Sequence, residues 1–196
     1  MTHPLDDAGL DLIFREARTR NGWSDEPLGE ADIQRIYDLA KWGPTAANTG
    51  PARFVWLTSP EAKQKLAEVA SAANAAKILK APATVIIAYD LDFPEHLPRL
   101  FPHAPTAKDW FNDPQNRQVT AFRNSTLQGA YLIIAARALG YDTGPMSGFD
   151  NAKVDEAFFA GVNVKSNFIC SIGKGTEENL FPRFPRLGFE EANRIV

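Results

Sequence analysis

The chain has 196 residues, 44% of them hydrophobic and 23% charged, with a formal net charge of -3. These values suit one globular domain, and the small negative charge gives no general attraction to nucleic acid or anionic membranes. No apolar run approaches the roughly 20 residues of a membrane span, and the polar N-terminus lacks the apolar core of a secretion signal. Because Cys170 is the only cysteine, we expect no intrachain disulfide and a cytoplasmic location.

The first half of the chain is predicted to mix helices and strands. Apolar periodicity, caps and breakers predict, in order, a helix over residues 8–18, a helix over 30–42, a strand over 53–58, a helix over 60–70 and a strand over 83–90. The last strand is apolar on both faces, which indicates a central position in a sheet.

Residues 91–114 differ from the rest, because they hold five prolines and four aromatic residues. We predict an irregular, lid-like excursion with one short helix near 107–111. The remaining predicted elements are a helix over 115–139, a helix over 152–160, a strand over 167–174 and a last helix near residue 190. The longest helix is apolar nearly all round at 130–138, so it lies either in the core or against another subunit.

This order lacks a regular βαβ alternation, so we predict an α+β fold with helices around one central sheet, in a single domain over residues 1–196. Residues 176–196 form a C-terminal arm that is long for a free terminus. Glycine-rich nucleotide loops, a serine nucleophile elbow and metal-ligand spacings are absent from the sequence. An enzyme without these features depends on a cofactor for its chemistry.

Five short segments combine glycine or proline turns with basic or amide side chains. Three of them supply four arginines and a lysine, which suit a phosphate. The other two, at residues 43–51 and 144–149, let the backbone approach a flat ligand closely. A phosphate at one end and a planar polar ring at the other is the shape of FMN. Taken one at a time, these segments also fit a solvated helix end, an ordinary loop or a free tail.

Five strings, in this order and spacing, carry a resemblance to a known family: ARTRNGW, YDLAKWGPTAANTGPARFV, RNSTLQGAYLIIAARALG, GPMSGF and PRFPRLGFEEA. From about Leu10 onward the chain resembles the flavin-dependent nitroreductase superfamily, and within it the malonic semialdehyde reductases of pyrimidine breakdown. The resemblance implies a mixed central sheet flanked by helices, in an intertwined homodimer with FMN at the interface. The long apolar helix is then a dimer helix, and NAD(P)H is the electron donor.

The resemblance also implies which residues bind the cofactor. They are Arg18, Thr19, Arg20 and Asn21 at the phosphate, Pro44, Thr45, Ala46, Ala47 and Asn48 in the small-residue loop, Asn74 and Lys77, Pro145, Met146, Ser147 and Gly148 opposite the flavin N5, and Arg183 and Arg186 in the arm. Many relatives carry a glutamate where Ser147 stands and a hydroxyl where Ala46 stands, so backbone N–H groups are the safer ring contacts. The flavin carries the chemistry, and no side chain is predicted to be catalytic.

The sequence does not identify the electron acceptor. Malonic semialdehyde needs a cation for its carboxylate, and Arg99, Arg117 and Arg123 are equal candidates. An open apolar pocket instead favours a broad nitroaromatic or quinone reductase, and a flavin-binding dimer without catalysis is the third alternative. The aromatic residues of the excursion either cover the pocket or pack in the core. The thiol of Cys170 has no role in any of these schemes.

Overall fold

The computed structural model describes residues 3–196, so Met1 and Thr2 of the predicted polar N-terminus lie outside the described residues. Its α-helices are α1 (Asp7–Leu10), α2 (Glu30–Ala40), α3 (Pro60–Ala67), α4 (Ala72–Lys80), α5 (Leu97–Leu100), α6 (Pro114–Ala138), α7 (Asn151–Phe159) and α8 (Phe189–Ala192). Its strands are β1 (Ala52–Leu57), β2 (Ala83–Asp90), β3 (Asp142–Met146) and β4 (Val164–Gly173). Within the described range, no helix combines the length and apolarity needed to cross a bilayer.

The strands form one sheet in the order β1-β2-β4-β3, with every neighbouring pair antiparallel. A parallel contact is added at the outer edge of β3, where Thr19 forms an isolated bridge with Thr143. The predicted α+β architecture with a central sheet is confirmed. The four strands pair antiparallel, and the bridge between Thr19 and Thr143 adds the parallel pairing that makes the sheet mixed.

Helices cover both faces of the sheet. Val85 and Ile87 of β2 point into a core with α2 and α6, whereas Ile86 and Ala88 point into a core with α3, α4 and α7. Because successive residues of a strand face opposite sides, a strand apolar at every position must be central. The prediction for β2 is confirmed at its observed bounds.

The long helix α6 turns two different faces to its surroundings. Its buried face is made largely of small residues, and a Cβ on Gly129 would lie only 2.5 Å from the ring of Phe168 on β4. The outward face carries large apolar side chains, of which Phe122 is 49% exposed and Leu127 is 46% exposed. This second face explains why the sequence of the helix shows no polar side.

The excursion at 91–114 is a packed unit with a core of its own. Phe93 and Phe111 are buried there, with ring centroids 4.9 Å apart, and they pack against Tyr89 and Ala121. The short helix predicted near 107–111 is present as a 3₁₀ helix. Trp110 is exposed. The aromatic residues of this segment therefore serve mainly as packing.

The first predicted helix is shorter than expected. After α1, a π-helical turn spans Asp11–Arg15, and the backbone has become strand-like at Thr19. The backbone N–H of Arg20 donates to the carbonyl of Thr143 at 3.1 Å, so pairing with the sheet edge replaces the last helical turn. The helix prediction over 16–18 is wrong because this long-range contact overrides the local pattern.

Candidate functional site

One cavity collects most of the cationic residues that the sequence analysis selected. We call it the cationic cavity; its volume is about 530 Å³, and Thr19, Asn21 and Phe181 contribute to its wall. Its basic side chains are Arg18, Lys77, Arg137, Arg183 and Arg186. Among residues 3–196, no carboxylate side chain lines the cavity or forms an ion pair with any of these five. Five cations without a carboxylate counter-charge suit an anion.

Arg137 is the member of this group that the sequence analysis missed. It lies on α6, within residues 130–138, which the sequence analysis described only as an apolar stretch. Its Nε is buried without a hydrogen-bond partner in the described structure, and its Nη1 lies 3.4 Å from the carbonyl of Ile13. Burial lowers the pKa of Arg137, and the nearby charge of Arg183 acts in the same direction. An anion in the cavity would satisfy the free donor and offset this repulsion.

Hydrogen bonds tie the C-terminal arm to the basic N-terminal segment. Arg18 donates to the carbonyl of Phe181, and Asn21 Nδ2 donates to the carbonyl of Asn179 at 2.9 Å. In return, Arg183 donates to the carbonyl of Ala17 at 3.1 Å. The cavity is therefore built jointly by two segments at opposite ends of the chain.

Arg20 lies outside the cationic cavity, in contrast to the expectation from the sequence. Its Nη1 is 2.7 Å from a Glu177 carboxylate oxygen, and its Nε is 3.3 Å from Asp142. Burial acts to lower the pKa of Arg20, but the Glu177 hydrogen bond and the Asp142 charge outweigh it, so the pKa is raised. The guanidinium is committed to two carboxylates and holds the arm against β3.

The turn at the end of β3, residues 145–148, contacts α4 at Asn74, about one helical turn before Lys77 of the cationic cavity. Asn74 of α4 donates from Nδ2 to the carbonyl of Gly148 at 3.1 Å, and a Cβ on Gly148 would lie 2.7 Å from that nitrogen. Pro145 and Met146 end β3, and Ser147 is exposed beside Gly148. Because Lys77 follows Asn74 by three residues on α4, the predicted ring turn and phosphate cations adjoin each other.

The small-residue loop lines a different cavity. We call it the loop cavity; its volume is about 500 Å³, and Pro44, Thr45 and Asn48 lie in its wall with His96 and Arg99 of the excursion. The aromatic side chains of Tyr37, Trp42 and Phe54 also line this cavity. Ala46 and Ala47 belong to the same loop but do not line the cavity.

The loop holds an unusual backbone. Ala47 and Asn48 have φ of 48° and 50°, in the left-handed region that non-glycine residues rarely adopt. Asn124 of α6 is 2% exposed, and its Oδ1 accepts from the Ala46 N–H at 2.8 Å. Asn48 Nδ2 donates to the carbonyl of Leu100 at 2.8 Å. The strained turn is thus fixed from α6 on one side and from the excursion on the other.

Most charges at the loop cavity are already paired. Arg53 Nη2 lies 2.5 Å from Asp90 Oδ2, and Lys41 lies 2.6 Å from Asp38. Arg99 is exposed and has no carboxylate partner within residues 3–196. The structure therefore leaves one guanidinium available here.

The other two candidate arginines lie elsewhere. Arg117 Nε donates to the carbonyl of Phe111 at 2.8 Å. Arg123 lines an open apolar cavity of about 720 Å³ on the outward face of α6, beside Phe122 and Leu127. Neither arginine lines the loop cavity.

The cationic and loop cavities lie on opposite sides of α6. Arg137 lines the first and Gln128 lines the second. Nine residues separate them, which is about two and a half turns at roughly 3.6 residues per turn. The predicted cofactor residues therefore fall into two groups that one chain does not bring together.

Comparisons with known proteins identify the family of the chain. A family model described as the nitroreductase family matches residues 15–174. A relative from a Caulobacter species, provisionally named NADH dehydrogenase/NAD(P)H nitroreductase, is 66% identical over 192 residues, which cover 98% of each chain. A provisionally assigned nitroreductase from Bacillus subtilis has a TM-score of 0.88 at 20% identity, covering 97% of this chain and 100% of its own. Another, from Exiguobacterium sibiricum and solved in complex with FMN, has a TM-score of 0.85 at 20% identity and covers 100% of both chains.

The two solved structures are similar in fold, and the family match spans most of the sequence. The chain therefore belongs to the nitroreductase family.

Proposed function

We propose that this chain is an FMN-dependent NAD(P)H oxidoreductase that acts as a homodimer and reduces malonic semialdehyde to 3-hydroxypropionate. Family membership and the name of the Caulobacter relative support the general activity. The observation that carries the assignment is the cationic cavity, where five basic side chains converge without a carboxylate in the lining among the described residues. Bound FMN supplies two-electron hydride transfer between the nicotinamide and the acceptor.

The residues present fit the FMN phosphate. The unpartnered Nε of Arg137 and the unpaired ammonium of Lys77 are donors suited to a phosphate dianion. The adjacent turn at 145–148, fixed by Asn74, offers backbone groups to a flat ring. In this proposal the protein binds and orients FMN, while N–H dipoles and cations stabilise negative charge on it.

In this proposal, a second copy of the chain contributes the small-residue loop to each FMN site. The small-residue loop lies across α6 from the cationic cavity, so one FMN cannot contact both groups in one chain. The outward face of α6 and the arm present exposed Phe122, Leu127, Phe181 and Phe184. Burying this apolar surface against a second copy would join the loop of one protomer to the cationic cavity of its partner.

The position of Arg99 favours an acceptor that carries a carboxylate. Among the three candidate arginines it alone lines the loop cavity, and it lacks a carboxylate partner among residues 3–196. A guanidinium in a half-enclosed cavity binds a carboxylate well. The aromatic lining of the same cavity favours nitroaromatic or quinone acceptors as the second candidate activity.

An absorbance experiment tests the cofactor and the acceptor in sequence. Purified protein with FMN should be yellow, should bleach when NADH or NADPH is added anaerobically, and should recover colour with malonic semialdehyde. Protein that binds no FMN overturns the proposal, and yellow protein that neither nucleotide bleaches indicates a flavin carrier. Recovery with quinones but not with the semialdehyde supports the broad reductase.

The Arg99→Gln variant tests the carboxylate contact. We expect the KM for malonic semialdehyde to rise roughly 10- to 100-fold, from the loss of ~1.5–3 kcal/mol for a charge-assisted hydrogen bond. The KM for a neutral quinone should not change. Arg35→Gln is the matched control, since Arg35 is exposed on α2 and does not line the loop cavity. Equal KM values for the semialdehyde in the Arg99 variant and the wild type would remove Arg99 from the acceptor site.

A further inference from the structure

A histidine in the wall of the loop cavity lies close to a buried carboxylate. Asp90, at the end of β2, is 7% exposed. Its Oδ2 lies 2.5 Å from Arg53 Nη2 and 3.8 Å from His96 Nε2, and its Oδ1 accepts from the Asp92 N–H at 2.7 Å. Two hydrogen bonds therefore hold the carboxylate, and the imidazole lies near it at 3.8 Å.

His96 also faces the space in which we place the acceptor. It lines the loop cavity together with Arg99, three residues later in the same helical run. Residues at this spacing lie on one side of a helix. An acceptor whose carboxylate contacts Arg99 would lie beside the imidazole.

Reduction of an aldehyde requires a proton as well as a hydride. The hydride adds to the carbonyl carbon, the carbon–oxygen π pair moves to the oxygen, and the oxygen takes up one proton to give the alcohol. We propose that His96, which lines the cavity beside Arg99, donates this proton to the oxygen, and that water returns a proton to the imidazole afterwards. This inference rests on the proposed function, because the hydride comes from flavin reduced by NAD(P)H.

The cationic side chains of the cavity are less suited to the role. Lys41 is paired with Asp38 at 2.6 Å, and a guanidinium is a poor proton donor in catalysis. Arg53 is committed to Asp90. Histidine is the side chain that exchanges a proton most readily near neutral pH.

The test compares two oxidants of the reduced, FMN-loaded enzyme. Malonic semialdehyde needs a proton delivered to its oxygen, whereas ferricyanide accepts electrons alone. In His96→Ala the rate with the semialdehyde should fall roughly 100-fold or more, and the rate with ferricyanide should not change. Imidazole added to the solution should restore part of the semialdehyde rate. The control is His103→Ala, because His103 stacks on Phe101 in the same excursion and does not line the loop cavity.

Binding is measured separately with malonate, followed by the fluorescence of Trp42 in the cavity wall. An unchanged Kd in the His96 variant supports a chemical role. A Kd that rises as much as the rate falls makes His96 a binding residue and overturns the proposal. Equal rates in variant and wild type, equal losses with both oxidants, or no imidazole rescue also overturn it. If the wild type reduces no semialdehyde, the failure belongs to the proposed acceptor.

Discussion

The cationic cavity and the loop cavity are similar in size, about 530 and 500 Å³, but their charges are balanced differently. In the first, five cations converge without a carboxylate in the described lining, and burial together with the charge of Arg183 lowers the pKa of Arg137. In the second, Arg53 and Lys41 already have carboxylate partners. The first cavity therefore needs an anion to neutralise it, and the second has room for a small acceptor with one negative charge.

The two cavities also differ in how their backbones are built. Long-range hydrogen bonds between residues 15–21 and 179–183 assemble the cationic cavity. The loop cavity depends on a local turn with left-handed Ala47 and Asn48, held by Asn124. Substitutions should therefore separate cofactor binding from acceptor binding, unless the dimer itself is lost.

The largest effect is expected from breaking the proposed dimer, which joins the two cavities. Phe122→Asp combined with Leu127→Asp places two charges on the outward face of α6, where association would bury them unpaired. We expect a monomer that retains its circular dichroism but not FMN after gel filtration. Val162→Asp, at another exposed apolar position, is the control. A double variant that stays dimeric and yellow would rule out this face as the interface.

A smaller effect is expected within the cationic cavity. Arg137→Gln removes a charge at the cavity wall, and the Kd for FMN should rise roughly 10- to 100-fold, equivalent to ~1.5–3 kcal/mol for a charge-assisted hydrogen bond. Flavin fluorescence titration measures this change. Arg35→Gln serves as the reference, because Arg35 is exposed on α2 and lies 3.9 Å from Asp32. Matching FMN affinities in the two variants would exclude Arg137 from the phosphate site.

A substitution of Arg20 tests whether this residue contributes to stability or to FMN binding. Arg20→Ala breaks contacts with Asp142 and Glu177, so the free energy of unfolding should fall by about 1–2 kcal/mol. Urea denaturation measures this loss. FMN affinity of the folded variant should equal that of the wild type, since Arg20 does not line the cationic cavity. A strong loss of affinity with unchanged stability would return Arg20 to the phosphate site.

The smallest effect concerns the thiol. Burial raises the pKa of Cys170 to about 12, so the group is neutral and shielded throughout the physiological range. We expect Cys170→Ala to retain full turnover, and native protein to resist thiol reagents at pH 8. Rapid labelling without urea, or a large loss of activity in folded Cys170→Ala, would contradict this placement.

Sequence patterns predicted the fold well where local and global preferences agree. β2 has its predicted bounds because its residues are apolar toward both cores. The longest helix, predicted over 115–139, spans Pro114–Ala138 because Asp113 caps it and Gly140 follows it with φ of 79°. β3 has no counterpart among the predicted strands, since Gly144 and Pro145 are poor strand formers. Its pairing with β4 overrides that preference.

The candidate site was harder to predict, because side-chain direction depends on contacts across the chain. Arg20 was grouped with Arg18 by spacing, but carboxylates 122 and 157 residues later in the sequence hold it elsewhere. Arg137 was hidden in an apolar helix. The roles of Asn124 and His96 have no local motif. Only tertiary structure divides the predicted residues between two cavities.

The arm that crosses the N-terminal segment makes the cationic cavity depend on contacts between distant parts of the sequence. Residues 14–21 and 181–186 share that cavity, and the second group lies beyond residue 174, where the family match ends. Contacts between such distant segments form late in folding, since closing a long loop costs entropy first. In the proposed site, FMN would therefore be captured by a largely folded protein, and its phosphate would link the two segments.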